Sequence, residues 1–122
     1  MIVVGSADPV GLQRLVRGLA ELHDAVGPAL RPRVVVTRVR AAAVGADPGR
    51  RIAEALGRYA GVGDAWLVPD DRAACDEAML AGRMLVETVP NSPARRALAD
   101  LTADLEETLL LEGLAGATSS SR

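Results

Sequence analysis

Lysine and phenylalanine are absent from this chain of 122 residues, and cysteine, histidine and tryptophan occur once each. Without lysine, the chain cannot contain a Walker A phosphate loop, whose lysine contacts the β- and γ-phosphates, and it cannot form a lysine Schiff base. The single Cys75 excludes an internal disulfide, and we expect a buried or half-buried side chain there. His23 lacks a second histidine for a metal site, so we expect it to be solvated. We therefore predict no catalytic residue and no metal ligand.

Long apolar runs and a strong net charge are also missing. No run reaches the roughly eighteen apolar residues that a membrane span needs, and residues 1–5 are too short and lack the basic residues of a signal peptide. The 14 basic and 16 acidic residues nearly balance, which predicts no basic surface for direct nucleic-acid binding. We expect one soluble, cytoplasmic domain, because a chain of this length supports one hydrophobic core.

Short apolar segments alternate with helical patterns along the chain. The segments at residues 2–4, 34–36 and 65–68 are almost continuously apolar, which is typical of strands that are buried on both faces. Alternating strands and helices with short connections favour a parallel sheet covered by helices. The sequence therefore predicts an α/β fold with a parallel three-stranded sheet and flanking helices.

Four helices are predicted to start at capping side chains. Asp8-Pro9, Asp47-Pro48 and Ser92-Pro93 each combine a cap with a proline suited to the first helical position. Asp70-Asp71 is interpreted as the cap of a further helix that Gly82 ends, with a metal pair as the weaker alternative. Apolar residues at helical spacing are assigned to the core, and they include Leu15, Leu19, Ile52, Leu56, Tyr59, Ala78, Met79, Leu98 and Leu101.

The last helix is expected to end near Glu112. Residues 113–122 are small and polar and lack helical periodicity, so they are predicted to form a disordered tail. The predicted organisation is thus one ordered domain at residues 1–112, followed by a tail at residues 113–122.

Polar residues follow two of the predicted strands. Thr37 and Arg38 come directly after the second strand, and Pro69 and Asp70 follow the third. Ligands in open α/β sheets usually bind where the carboxyl ends of parallel strands meet. Thr37 and Arg38 are therefore candidate binding residues, although a structural or solvated role fits them equally well.

Four segments, in this order and spacing, resemble the C-terminal half of the ParA/MinD-type, deviant Walker P-loop ATPases. They are Val34-Val35-Val36-Thr37-Arg38, Trp66 to Asp71, Ala81 to Leu85, and Asn91 to Arg95. The resemblance covers residues 1–112 and implies a partial P-loop NTPase fold, which is Rossmann-like. Thr37 stands where the family commonly has an asparagine that contacts adenine, and it lacks the paired amide groups suited to a purine edge.

The resemblance implies that Thr37, Arg38, Pro69 and Asp70 contact the base of ATP or ADP without performing chemistry. The half of the family that binds phosphate and metal is missing here, so the chain is expected to be a truncated or degenerate relative with no ATPase activity alone. Full proteins of this family position chromosomes, plasmids, septa or cell-envelope machinery, and this is what the resemblance implies for the parent.

The first strand is expected to lie at an open sheet edge, because in the family it lies beside the strand that carries the phosphate loop. An open edge predicts pairing with another copy, pairing with a separately encoded N-terminal half, or marginal stability. A second hypothesis is a non-catalytic α/β interaction module that dimerises through this strand, which nucleotide calorimetry distinguishes from the first. A small independent enzyme is poorly supported, because no nucleophile, base and orienting group can be placed together.

Overall fold

The computed structural model describes residues 1–120, apart from the side chains of residues 42, 43 and 117–120. Three parallel strands, β1 (Ile2–Ser6), β2 (Arg33–Val39) and β3 (Ala65–Pro69), form one sheet in the order β1-β2-β3. The prediction of a parallel three-stranded sheet is confirmed, and the architecture is consistent with a Rossmann-like fold.

Six helices connect and flank these strands in the described part of the chain. They are α1 (Pro9–Val26), α2 (Ala41–Val44), α3 (Pro48–Ala60), α4 (Arg72–Ala81), α5 (Leu85–Thr88) and α6 (Pro93–Ser120). The sequence did not predict α2 or α5, because each has only 4 residues and shows no periodicity. Among residues 1–120, no helix has the length and apolar character needed to cross a membrane.

The last helix is longer than its sequence predicted. The helix α6 continues to Ser120, whereas the loss of periodicity after Glu112 predicted an end there and a disordered tail at residues 113–122. Once nucleated, a helix propagates at little cost through alanine and leucine, so periodicity is a poor guide to its end. Residues 121 and 122 of the predicted tail lie outside the described residues.

The predicted caps of α1 and α3 are confirmed. The Asp8 carboxylate accepts a hydrogen bond from the Gly11 backbone N–H at 2.8 Å. The Asp47 carboxylate accepts one from the Arg50 backbone N–H at 3.4 Å. Each bond satisfies a first-turn N–H that has no partner within the helix, which explains why both helices start at these aspartates.

Two glycines allow α1 to approach β1. Gly5 lies within β1, and a Cβ at this position would lie 2.8 Å from Leu15 Cδ2. A Cβ at Gly11 would lie 2.6 Å from the Ser6 carbonyl oxygen. Both distances are shorter than normal van der Waals contact, so the β1–α1 unit requires glycine at these positions.

One sheet face is covered by α1 and α3. Val34 and Val36 of β2 and Ile52 of α3 are each 0% exposed, and Leu56 is 1% exposed. Leu15 and Leu19 of α1, together with Ala7, complete the cluster. The largest fully buried side chains therefore lie between these two helices and the sheet.

The opposite face is covered in part by α6. Val35 and Val68 pack there against Ala94, with Trp66, Ala97 and Leu101 around them. The Trp66 indole N–H donates to Asp104 Oδ2 at 2.7 Å, so α6 runs antiparallel to β3. The core position predicted for Trp66 is correct in part, because its ring packs on this cluster while the residue stays half-exposed.

Four residues assigned to buried positions are exposed. Tyr59 is 65% exposed, Met79 76% and Leu98 41%, and Cys75 is also exposed. Helical spacing identifies an apolar stripe, but burial requires that another element covers it. The Tyr59 ring lies instead beside the Arg58 guanidinium, 5.5 Å from Cζ to the ring centre.

Candidate functional site

The four candidate residues lie at the carboxyl edge of the sheet. Thr37 is the register partner of Ser6, and Val39 is the register partner of Pro69. An irregularity between Val36 and Val39 interrupts the β2–β3 ladder and contains Thr37 and Arg38. The prediction that Thr37 and Pro69 share one edge is therefore correct.

Thr37 ties β2 to β1. Its hydroxyl donates to the Gly5 carbonyl oxygen at 3.3 Å, and its own carbonyl accepts from the Ala7 backbone N–H at 2.9 Å. The hydroxyl oxygen keeps lone pairs that could accept from a ligand. Thr37 therefore has a structural role at this edge, beside any role in binding.

Arg38 has a left-handed backbone and an exposed side chain. Its φ is 58°, a region that residues with a Cβ rarely adopt, and the bulge holds it there. Within residues 1–120, no hydrogen bond or ion pair of its guanidinium is described. This planar cation is therefore available to a ligand at the edge.

Asp70 is engaged by a neighbour that the sequence analysis missed. Its Oδ2 lies 3.7 Å from Arg40 Nε, and its backbone N–H donates to the Val39 carbonyl oxygen at 3.0 Å. The Asp70 carboxylate therefore balances the charge of Arg40.

The role predicted for Asp71 is wrong in one respect. It precedes α4, but its side chain makes no cap hydrogen bond to that helix. Its Oδ2 instead accepts from the Ala94 backbone N–H in the first turn of α6, at 3.2 Å. The sequence could not reveal this contact, because tertiary folding alone brings Ala94 to the end of β3.

The first turn after β1 carries a negative charge. Asp8 accepts from the Ser6 hydroxyl at 2.7 Å as well as from the Gly11 N–H. The Gly11 N–H, and then the Ser6 hydroxyl, lower the pKa of the Asp8 carboxyl below its ordinary value. An ionised carboxylate at this helix start repels a phosphate and occupies an N–H that could otherwise bind one.

None of these four residues lines one of the described clefts. A cleft of about 800 Å³ at the amino end of the sheet is lined by Leu22, His23, Arg33 and Trp66, among others. Within the part of the chain whose side chains are described, no three His, Cys, Asp or Glu residues are arranged to hold a metal ion.

Comparison of this chain with protein-family models, with curated proteins and with solved structures gives no match. Fold and site define its class: an α/β chain with a three-stranded parallel sheet, whose candidate ligand residues share the carboxyl edge.

Proposed function

We propose that this chain is the base-binding side of a ParA/MinD-like nucleotide-binding fold, without a phosphate-binding loop of its own, and that it serves the positioning of chromosomes, septa or cell-envelope machinery. The observation that carries the proposal is the common edge of Thr37, Arg38, Pro69 and Asp70 at the carboxyl ends of adjacent parallel strands. Ligands of open α/β sheets bind at this edge.

The edge suits a nucleobase better than a phosphate. The exposed Arg38 guanidinium can stack on a purine, the Thr37 oxygen can accept from an amino group, and Pro69 offers an apolar ring. The chain lacks lysine, and the ionised Asp8 repels phosphate at the first helix start. ATP and ADP are therefore proposed as ligands through their base, and no hydrolysis is assigned to this chain alone.

The open edge of β1 supports a separate partner strand. The Met1 carbonyl oxygen accepts a hydrogen bond from the Arg33 N–H, and the Ala7 N–H donates to the Thr37 carbonyl oxygen. The backbone N–H and C=O groups of the odd-numbered residues of β1 therefore face β2. Backbone groups alternate in direction along a strand, which leaves the N–H and C=O groups of Ile2, Val4 and Ser6 on the outer edge. A strand from an N-terminal half could pair with them.

Adenosine binding tests the proposal directly. Amide NMR spectra of the full chain should shift at residues 37, 38 and 70 as adenosine is added to millimolar concentration. Because phosphate adds no favourable contact, adenosine should bind at least as tightly as ATP. Arg38→Ala should weaken binding about tenfold, the effect of losing about 1.4 kcal/mol.

Arg58→Ala is the matched control, because Arg58 is an arginine far from this edge that contacts Tyr59. It should leave adenosine binding unchanged. Spectra that do not respond to adenosine at residues 37, 38 and 70, or an equal response in Arg38→Ala, would contradict base binding at this edge.

A second candidate function is a non-catalytic interaction module that pairs through β1. Val4 is 61% exposed and Ile2 45%, which is unusual for apolar strand residues. Under this hypothesis Val4→Lys, a typical protection of edge strands, should abolish self-association in sedimentation without unfolding the chain. Val26→Lys, at a similarly exposed valine on α1, should have no effect. Adenosine binding without association through β1 would favour the first function.

A further inference from the structure

One side of α6 carries a stripe of residues that is complementary to the same stripe on an antiparallel copy of the helix. Its members recur at intervals of three and four residues, the spacing of a helix that packs along a second helix. They are Arg95, Leu98, Thr102, Leu105, Leu109 and Glu112. In the structure this stripe lies beside, and not on, the row through Ala97 and Leu101 that covers the sheet.

The stripe is accessible along its length. Leu98 is 41% exposed and Leu109 61%, Thr102 is exposed, and Leu105 is half-buried. The helix runs on from Asp104, its contact with Trp66, to Ser120, so the second half of α6 extends about 24 Å further at the usual rise of 1.5 Å per residue. A neighbouring molecule could therefore reach both halves of the stripe.

Reversal of the stripe brings complementary residues together. An antiparallel pair of α6 helices whose centre lies between residues 103 and 104 places each stripe residue opposite a suitable partner. The pairs are Arg95 with Glu112, Leu98 with Leu109, and Thr102 with Leu105. A two-fold axis repeats every pair, as an isologous dimer requires.

The charge along α6 favours this orientation. The only basic residues of the helix, Arg95 and Arg96, lie in its first turn. Its acidic residues all follow them, and they are Asp100, Asp104, Glu106, Glu107 and Glu112. A parallel pair would bring like charges together, whereas an antiparallel pair places the basic start of one helix beside the acidic half of the other.

We propose that this stripe is an interface at which a second copy of the chain binds, through an antiparallel α6–α6 contact. The short helix α5 extends the surface, because Met84 and Val86 are 65% and 46% exposed and line an open groove of about 460 Å³ together with Leu98 and Thr102. The apolar half of the partner helix, around its own Leu109, fits beside this groove. The interface is separate from the β1 edge.

Charge exchange provides the sharpest test. The full chain should sediment as a dimer, and Arg95→Glu and Glu112→Arg should each weaken the dimer about tenfold or more, because two attractive pairs become repulsive. A mixture of the two single variants should restore dimerisation, since each interface then joins opposite charges. Two variants that stay monomeric in the mixture would overturn the antiparallel register.

Leu109→Gln and Leu111→Gln form a matched pair, because both leucines are 61% exposed and only Leu109 lies on the stripe. Leu109→Gln should abolish the dimer, and Leu111→Gln should leave it intact. A dimer that survives Leu109→Gln but is lost in Val4→Lys would overturn the proposal in favour of the β1 edge. A chain that stays monomeric at about 100 μM would also overturn it.

Cross-linking tests the orientation of the helices. On a Cys75→Ser background, which removes the exposed native thiol, Leu98→Cys and Leu109→Cys chains should form a disulfide when they are mixed. Neither variant alone should form this disulfide, because in the antiparallel dimer residue 98 of one copy lies opposite residue 109 of the other, which is then a leucine or faces a leucine. Rapid cross-linking of Leu98→Cys with itself would show a parallel contact and would overturn the proposal.

Discussion

The two faces of the sheet differ in how completely they are covered. Between the sheet and the α1–α3 layer, Val34, Val36 and Ile52 are each 0% exposed. Across the sheet, α6 covers Val35 and Val68 but leaves Val4 61% exposed. The first face buries its apolar side chains more completely, and the second keeps apolar surface that a partner could bury.

The number of helices explains this difference. The units β1-α1-β2 and β2-α3-β3 place two helices against one face of three strands. The single helix α6 contacts mainly β3 and reaches β2 through Val35, so β1 lies beyond it. One helix is about 10 Å wide, which is too narrow to cover three strands spaced about 4.8 Å apart together with their side chains.

Among these tests of the two sheet faces, truncation of a core residue should change the free energy of unfolding most. Ile52→Ala removes a fully buried side chain on the covered face and should lower the free energy of unfolding by about 2–5 kcal/mol. Leu101→Ala, at a half-buried leucine on the α6 face, should cost clearly less. Urea denaturation measures both, and equal losses would show that the two faces contribute alike.

Alanine substitutions at two glycines of α1 should distinguish the effect of close packing from the effect of helix propensity. Gly11→Ala introduces a methyl group 2.6 Å from the Ser6 carbonyl oxygen and should destabilise the chain by about 1–3 kcal/mol. Gly18→Ala meets no atom within 4 Å and should stabilise it by up to about 1 kcal/mol, because alanine favours a helix. Thermal melts compare the two, and stabilisation by both would contradict the close approach of α1 to β1.

Acid should weaken the start of α1, with the smallest effect. Folding lowers the pKa of the Asp8 carboxyl below its ordinary 3.8, so its contribution to stability is complete above that pH and is lost as pH falls through the lowered pKa. The difference in melting temperature between the native chain and Asp8→Asn should therefore be larger at pH 6 than at pH 2.5. A difference that does not change with pH would exclude the charge as its source.

Local chemistry predicted much of the fold. The apolar runs located all three strands, and the Asp-Pro pairs located the starts of α1 and α3, because a cap acts on its own first turn. Exposure was harder to predict. Tyr59 and Met79 have the spacing of buried residues, but no element covers them among the described residues.

In the candidate site, too, local sequence predicted some features and missed others. Strand ends and parallel order sufficed to bring Thr37 and Pro69 to one edge. The pairing of Asp70 with Arg40, and the hydrogen bond from Ala94 to Asp71, could not be predicted. These contacts join elements that are adjacent only in three dimensions.

Residue order alone thus specified the three strands, their parallel arrangement, the starts of α1 and α3 and the absence of a lysine-dependent phosphate site, since each depends on neighbouring residues or on composition. Tertiary packing decided which apolar stripes are covered, left the edge of β1 and one side of α6 accessible, and selected the partners of Asp70 and Asp71. The physical reason is that burial and long-range pairing depend on where whole elements lie, which no local pattern encodes.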